Sequence, residues 1–316
     1  MGEHDEIDVL EGADEDIDVF DQPPGTKPSD LDSGWTQLPS SELLTVESAD
    51  EFLRWRAASI IAVVGERNGG KTTLISEIYE RFLRGTFADS CFCGSWSLSG
   101  FEMKNFQSRA ESGAERPDTP RTSARDGLRF FHLAVADLDS LEVRTDLLIS
   151  ERAGESYREV RDSPSRATEM VELQRAAAIA FVVDGERVFN DRKRTEVFAS
   201  ARSIVRALSE TGTIKPGARL QFVTTKYDLL DGDDAVDARA ALDNFEDQMR
   251  NLFGQTYEVE AFRTAARDPS GELPAGTGVA PLFRSWLEPS VIDELAEPAL
   301  PELTDEFDRL MLRRAL

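Results

Sequence analysis

Three short stretches have the residue types and spacing to act on a phosphorylated ligand. Gly65-Glu66-Arg67-Asn68-Gly69-Gly70-Lys71-Thr72 fits G-x-x-x-x-G-K-S/T. The glycines of this pattern let the backbone curl, so that successive N–H groups face phosphate oxygens where side chains would collide. A helical pattern starting at Thr72 adds the positive end of its dipole. Lys71 can reach β- and γ-phosphates, and the Thr72 hydroxyl can ligate Mg²⁺. Gly65, Asn68, Gly69, Gly70, Lys71, Thr72 and Thr73 thus form a candidate phosphate cradle. The competing reading is a glycine-rich turn, which the apolar strand before and the helix after disfavour.

The second stretch, Thr225-Lys226-Tyr227-Asp228, follows the apolar run LQFVT and matches N/T-K-x-D, a guanine-reading pattern. It falls at the end of a strand, where open α/β sheets bind ligands. A carboxylate at Asp228 accepts from both N1–H and the 2-amino group of guanine. Facing adenine it would meet a lone pair and no 2-amino group. The stem of Lys226 can lie along the base plane. Third, Arg263-Thr264-Ala265-Ala266 follows the last strand and is similar to the Ser/Thr-Ala-x loop that offers a backbone N–H to guanine O6, which nominates Thr264 and Ala265. GGKTTL also occurs in transporter-type ATPases. SLSG (97–100) is superficially like their signature, but it comes too soon, lacks the following Gly-Gln, and reads as strand or loop.

These stretches need a scaffold of alternating strands and helices. SIIAVVG (59–65), AAIAFVVDG (177–185), LQFVTT (220–225) and TYEVEAF (256–262) are short apolar runs of strand type. LRFFHLAVA (128–136) and VRTDLLIS (143–150), separated by DLDSLE, read as a hairpin. Helical spacing places Leu74, Ile75, Ile78, Tyr79, Phe82 and Leu83 on one face. It does the same for Val197, Phe198, Ala201, Ile204, Val205 and Leu208, and for Val236, Leu242, Phe245, Met249 and Leu252. APLFRSWL (280–287) is the last helix of the domain, and residues 39–55 read as a short helical lead-in. Strands alternating with helices imply a mostly parallel sheet covered on both faces. Residues 1–34 read as a disordered acidic tail, 35–287 as the folded domain with a long polar loop at 106–127, and 288–316 as a C-terminal helical extension.

With its three motifs in order from Gly65 to about Ala266, the sequence resembles the translation-factor-related (TRAFAC-class) P-loop GTPases. Within that class it is most similar to the bacterial double-GTPase families predicted in biological-conflict gene clusters. CGSWSLSGFE, LLISERAGESYREV and AFVVDGERV before TTKYDLL carry this finer likeness. The resemblance implies a P-loop NTPase (GTPase-like) three-layer α/β sandwich, with a mostly parallel sheet and one antiparallel hairpin strand. It also implies GTP or GDP with Mg²⁺ as ligands, and another protein as partner, a GTPase or effector encoded nearby.

The switch-two motif D-x-x-G of that class is here Glu151-Arg152-Ala153-Gly154. Glutamate is one methylene longer than aspartate, which alters its reach to a Mg²⁺-bound water; Thr72 and Glu151 are the metal candidates. Gly154 can offer its N–H to the γ-phosphate. Glu155 stands where many such proteins carry a water-orienting glutamine. Lys71, Gly154 and Glu155 are therefore the candidate catalytic group, and slow hydrolysis is expected. Arg152, Arg158 and Arg161 read as solvated arginines with a possible role in cis. Residues 86–123 hold too many Ser and Thr to select a switch-one ligand.

A net charge of −24 disfavours nucleic acid and anionic lipid surfaces as partners. No apolar run approaches a membrane span, and MGEHDEIDVLEGADED has no signal-peptide features. Cys91 and Cys93 read as reduced core thiols, which with the missing signal favours the cytoplasm. The functional expectation is a slow Mg²⁺-dependent GTPase acting as a switch or assembly factor. The alternatives are a GTP-binding scaffold that does not hydrolyse and, more distantly, an ATPase.

Overall fold

Apolar runs that do not alternate build the middle of a seven-stranded sheet, because central parallel strands are buried on both faces. The structure, a computed structural model, describes residues 42–106, 127–266, 274 and 276–289. The acidic tail (1–34), residues 107–126 of the polar loop and residues 290–316 of the C-terminal extension lie outside the described residues. Every described residue belongs to the compact unit Pro39–Leu316.

The strands are β1 (Ser59–Val64), β2 (Ser90–Gly94), β3 (Arg129–Asp137), β4 (Arg144–Glu151), β5 (Ala176–Asp184), β6 (Arg219–Thr225) and β7 (Glu258–Arg263). They lie in the order β2-β3-β4-β1-β5-β6-β7. β3 runs antiparallel to both neighbours, and the remaining pairings are parallel. The helices are α1 (Val46–Trp55), α2 (Lys71–Leu83), α3 (Leu98–Phe106), α4 (Gly154–Asp162), α5 (Val171–Gln174), α6 (Gly185–Phe189), α7 (Asp191–Glu210), α8 (Val236–Phe253) and α9 (Val279–Leu287). Among the described residues no helix is long and apolar enough to cross a membrane.

Strand alternation assigns the helices to two layers. Ile61 and Val63 of β1 face the side covered by α2 and α9, with Leu74, Ile78, Phe283 and Trp286 in the same buried cluster. Ala62 and Val64 face α4, α7 and α8, through Tyr157, Val205, Leu208 and Phe245. α1 buries Phe52 with Ile60, Phe130 and Leu148. Trp286 anchors α9: its ring N–H donates to Gln221 Oε1 at 2.8 Å, and Gln221 Nε2 donates to Ser285 Oγ at 2.8 Å. The three-layer α/β expectation holds, with β3 as the one reversed strand.

Several local expectations need correction. SLSG is neither strand nor free loop: α3 begins at Leu98, with the Phe101 N–H donating to Ser97 O at 3.0 Å. Preceding it, β2 adds an edge strand that no apolar run announced. Cys91 and Cys93 lie on it as free thiols, partly exposed and exposed, rather than in the core. Leu83, Val236 and Leu252 are more than half exposed. The inward face of α8 runs Ala238, Leu242, Phe245, Met249, Phe253, so Val236 and Leu252 fall out of phase with it. Leu83 is one residue past the buried Phe82 at the end of α2.

Candidate functional site

β1 is short and feeds directly into the glycine loop. Parallel register sets Val64 beside Phe181 of β5, and Asp184 beside Thr225 of β6. The ends of three adjacent strands therefore converge on one edge of the sheet, where the phosphate-loop and base-reading motifs meet.

The loop's conformation explains its residues. Gly70, N-cap of α2, has φ +88, and a Cβ there would lie 3.3 Å from the Thr225 side chain. Asn68 also has positive φ, at 61, a region that Asn tolerates better than most residues. Gly65 packs onto β5, where an added Cβ would sit 3.0 Å from Val182 Cβ. Lys71 is buried and donates to Gly65 O (2.8 Å) and Glu66 O (3.1 Å), which folds its ammonium back over the loop. Burial pushes its pKa below the ordinary lysine value, against the opposing pull of Glu151, Glu155 and Glu66. Thr72 and Thr73 follow in the first turn of α2, partly buried.

The switch-two candidates reach the loop from β4 and α4. Thr72 Oγ1 donates to Glu151 Oε1 at 2.8 Å, so the longer carboxylate touches the cradle directly. Two hard oxygen donors side by side suit Mg²⁺, which keeps few protein ligands and takes phosphate oxygens and water for the rest. Among the described residues no group of three or more His, Cys, Asp or Glu could hold a metal ion, so a cation here would need such added oxygens. Gly154 is pressed onto the loop: a Cβ on it would lie 2.3 Å from Arg67 N. Glu155 turns to Arg67, with Arg67 Nε 3.5 Å from Glu155 Oε1. Arg152 is not solvated; it is bound bidentately to the buried Glu172 at 2.7 and 3.0 Å.

A set of contacts that sequence reading missed surrounds Glu66. This buried carboxylate accepts from Arg187 of α6 (2.6 Å), Arg158 and Arg161 of α4 (3.3 and 3.4 Å) and the Ser200 hydroxyl of α7. Burial works against its ionisation, but the Ser200 and Arg187 hydrogen bonds outweigh that and hold its carboxyl below the ordinary glutamate range. Arg158 and Arg161 are thus loop-bound rather than free in solvent. The available signal was an acid inside a glycine loop together with two arginines at i, i+3 on α4, the helix that starts at the switch-two glycine. A polar cleft of about 360 Å³ flanks the loop, lined by Asn68, Arg158, Asp184, Arg187 and Lys226 among others.

At the other end, Thr225 Oγ1 donates to Gly69 O at 2.7 Å and ties the base-reading motif to the cradle. Gly185 is obligatory, since a Cβ would lie 2.2 Å from Thr225 O. Lys226 takes the left-handed conformation (φ 51), and its ammonium contacts Glu186 Oε2 (2.8 Å) and Asp184 Oδ1 (3.0 Å). Burial opposes its charge, and those two carboxylates prevail, raising its pKa. Asp228 is half-buried in a short 3₁₀ helix, Tyr227–Leu230. Thr264 and Ala265 follow β7 and face the end of β6. Thr264 donates both N–H (2.7 Å) and hydroxyl (3.2 Å) to Thr224 O, and the Ala265 N–H donates to Thr277 O at 2.9 Å. These hydrogen bonds brace the loop, and an isolated bridge pairs Ala265 with Thr277.

The structure is similar to several solved proteins at low overlap. The signal recognition particle receptor SRβ–GTP/SRX complex from Chaetomium thermophilum has TM-score 0.42 and 14% identity, over 73% of this chain and 96% of that one. The ADP-ribosylation factor-like small COPII coat GTPase SAR1 from Encephalitozoon cuniculi, in complex with GDP, has TM-score 0.31 and 14% identity, over 76% and 84%. A GTP-binding protein from the archaeon Sulfolobus solfataricus, in complex with GDP, has TM-score 0.35 and 15% identity, over 76% and 53%. Overlaps this distant say nothing of ligands. No curated protein matches the sequence. The model of the Double-GTPase 2 family matches residues 59–287, which span all seven strands and both nucleotide motifs. The chain belongs to the Double-GTPase 2 family and is a P-loop GTPase of that type.

Proposed function

We propose that the protein binds GTP and GDP with Mg²⁺ and hydrolyses GTP slowly, as a cytoplasmic switch or assembly factor. Its partner would be another protein, a GTPase or effector encoded nearby in a bacterial conflict system. The observation that carries the nucleotide reading is the 2.7 Å hydrogen bond from Thr225 to Gly69 O. It makes the N/T-K-x-D motif and the phosphate loop one continuous surface, as a ligand with a base at one end and phosphates at the other requires. The loop backbone with Lys71 would hold the phosphates, Thr72 and Glu151 would hold Mg²⁺, and Asp228 would read the base. When bound, the metal neutralises charge developing on the phosphates. Glutamates at positions 151 and 155 support slow turnover, since they add negative charge beside a polyphosphate.

The second reading is the non-hydrolysing scaffold, supported by Glu151 and Glu155 standing where the class carries aspartate and glutamine. Single-turnover hydrolysis separates the two readings. Base identity is tested through Asp228→Asn. The amide replaces one acceptor oxygen with a donor, which would face the 2-amino group of guanine, donor against donor. Xanthine carries a carbonyl there and would accept. Competitive binding of GTP, ATP and xanthosine triphosphate should show the variant losing GTP and gaining xanthosine triphosphate. Retained preference for GTP would show that Asp228 does not read the base, and preference for ATP in the unmodified protein would show an ATPase.

A further inference from the structure

Three carboxylates surround the phosphate end of this site, and each is electrostatically coupled to Lys71. Two of them are matched locally. Glu66 accepts from Arg158, Arg161, Arg187 and Ser200. Glu151 accepts from Thr72. The third, Glu155, meets a cation supplied by the phosphate loop itself. Arg67 occupies the third position of the G-x-x-x-x-G-K-T stretch, and its Nε lies 3.5 Å from Glu155 Oε1.

The contact is anchored by backbone on both sides. α4 begins at Gly154, and that residue abuts Arg67 so closely that an added Cβ would lie 2.3 Å from its N. Glu155, the next residue, is therefore held close to the loop, with its carboxylate within ion-pair distance of Arg67. Both side chains are about half exposed, so neither is part of the core. A buried pair would be explained by packing; this one is not, and Glu155 is near enough to Lys71 to act on its charge. Guanidinium is a planar fork of donors, suited to holding a carboxylate in one orientation while leaving other N–H groups free.

We propose that Arg67 is a positioning residue for GTP hydrolysis, acting through Glu155. It neutralises the glutamate beside the γ-phosphate and aims its free oxygen at the attacking water. In the reaction the water oxygen bonds the γ-phosphorus as the bond from phosphorus to the β–γ bridging oxygen breaks. The electron pair of that bond leaves with GDP, and both water protons end on the released dihydrogen phosphate. Glu155 accepts a hydrogen bond from the water during attack and is unchanged afterwards. The carboxylate thus does the work of the glutamine found at this place in many GTPases, provided that its charge is cancelled by the loop.

The inference rests on the proposed hydrolysis, so the experiment measures GTP affinity and single-turnover hydrolysis separately. It uses the full chain and four variants: Arg67→Ala, Arg67→Lys, Glu155→Ala and Arg67→Ala/Glu155→Ala. Arg67→Ala should lower the rate at least tenfold while GTP affinity stays within about threefold, and Arg67→Lys should recover part of the loss. The double variant should be no slower than Glu155→Ala alone, because Arg67 has nothing to act on once Glu155 is gone. An unchanged rate in Arg67→Ala overturns the proposal. So do losses that multiply in the double variant, or a rate loss matched by lost affinity. In either case measurable wild-type turnover would leave the hydrolysis reading standing. GTP binding without any wild-type turnover would instead overturn that reading and this inference with it.

Discussion

At the base-reading end, the Tyr227 N–H donates to Thr264 O at 3.1 Å, Thr264 donates to Thr224 O, and Gly185 and Gly278 leave no room for a side chain against the backbone of Thr225 and Arg263. At the phosphate end, Glu66 is held by the tips of three arginines reaching from α4 and α6. The first arrangement depends mainly on backbone hydrogen bonds and steric fit, both short and geometrically strict. The second depends on long side chains and charge, which can rearrange without unfolding a strand. The difference lies in how each end is held: the arginine tips of α4 and α6 can let go of Glu66 by breaking ion pairs, while the base-reading end is fixed by backbone.

The sharpest way to break this comparison is Glu66→Ala. It leaves Arg187, 17% exposed, with only its 3.4 Å contact to the exposed Glu196, and releases Arg158 and Arg161 from the loop. Removing one partner of a buried ion pair is costly, but these arginines are partly solvated, so the expected loss is about 2–3 kcal/mol. In a domain of this size that corresponds to a Tm lowered by roughly 5–10 °C. The effect carries a pH signature. The carboxyl of Glu66 is held below its ordinary value of 4.5 in the folded chain, so its stabilisation is complete above that value. It is lost as pH falls through the folded pKa. Thermal melts of both proteins should therefore converge as pH is lowered toward and below the ordinary glutamate range. A Tm gap that is constant with pH would mean that Glu66 contributes packing rather than charge.

Next in size is Lys71→Ala, which removes the cation folded over the loop. Nucleotide affinity should fall at least tenfold, roughly 1.4 kcal/mol or more, as measured by titration calorimetry with GTP. Lys71 also bonds two loop carbonyls, so retained helical circular dichroism at the same temperature must accompany the measurement. Unchanged affinity would remove the phosphate cradle from the reading.

The same division explains what the sequence disclosed. The strands, the hairpin and the glycine loop are written in consecutive residues, because backbone conformation is local: Gly70 needs φ +88 and sits beside Lys71 and Thr72. The ring around Glu66 is not local. Its partners lie 92, 95, 121 and 134 residues away in the chain, and an arginine on a helix looks the same whether it meets solvent or a loop. β2 and α3 escaped notice for another reason. CFCGSWSLSGFE has small and polar residues at most positions, so neither a twofold nor a 3.6-residue period stands out. Nor could chain order show that the Ala265 N–H meets Thr277, which comes from beyond an intervening stretch of chain.

The smallest effect tests the base-reading end. Thr225→Val keeps a β-branched side chain of similar shape at the end of β6 and deletes only the hydroxyl that donates to Gly69 O. One neutral hydrogen bond is worth about 1 kcal/mol, so Tm should fall by roughly 2–4 °C. The informative quantity is how that shift depends on salt. A hydroxyl-to-carbonyl bond has no net charge to screen, so the Thr225→Val shift should be equal at low and high ionic strength. The Glu66→Ala shift should shrink with salt, since Arg158, one of its partners, is 53% exposed. Melts of the three proteins at both salt concentrations give the result directly. If the Thr225→Val shift varies with salt as strongly as the Glu66→Ala shift, the two ends are not held by different forces. The division between a backbone-held end and a charge-held end would then fail.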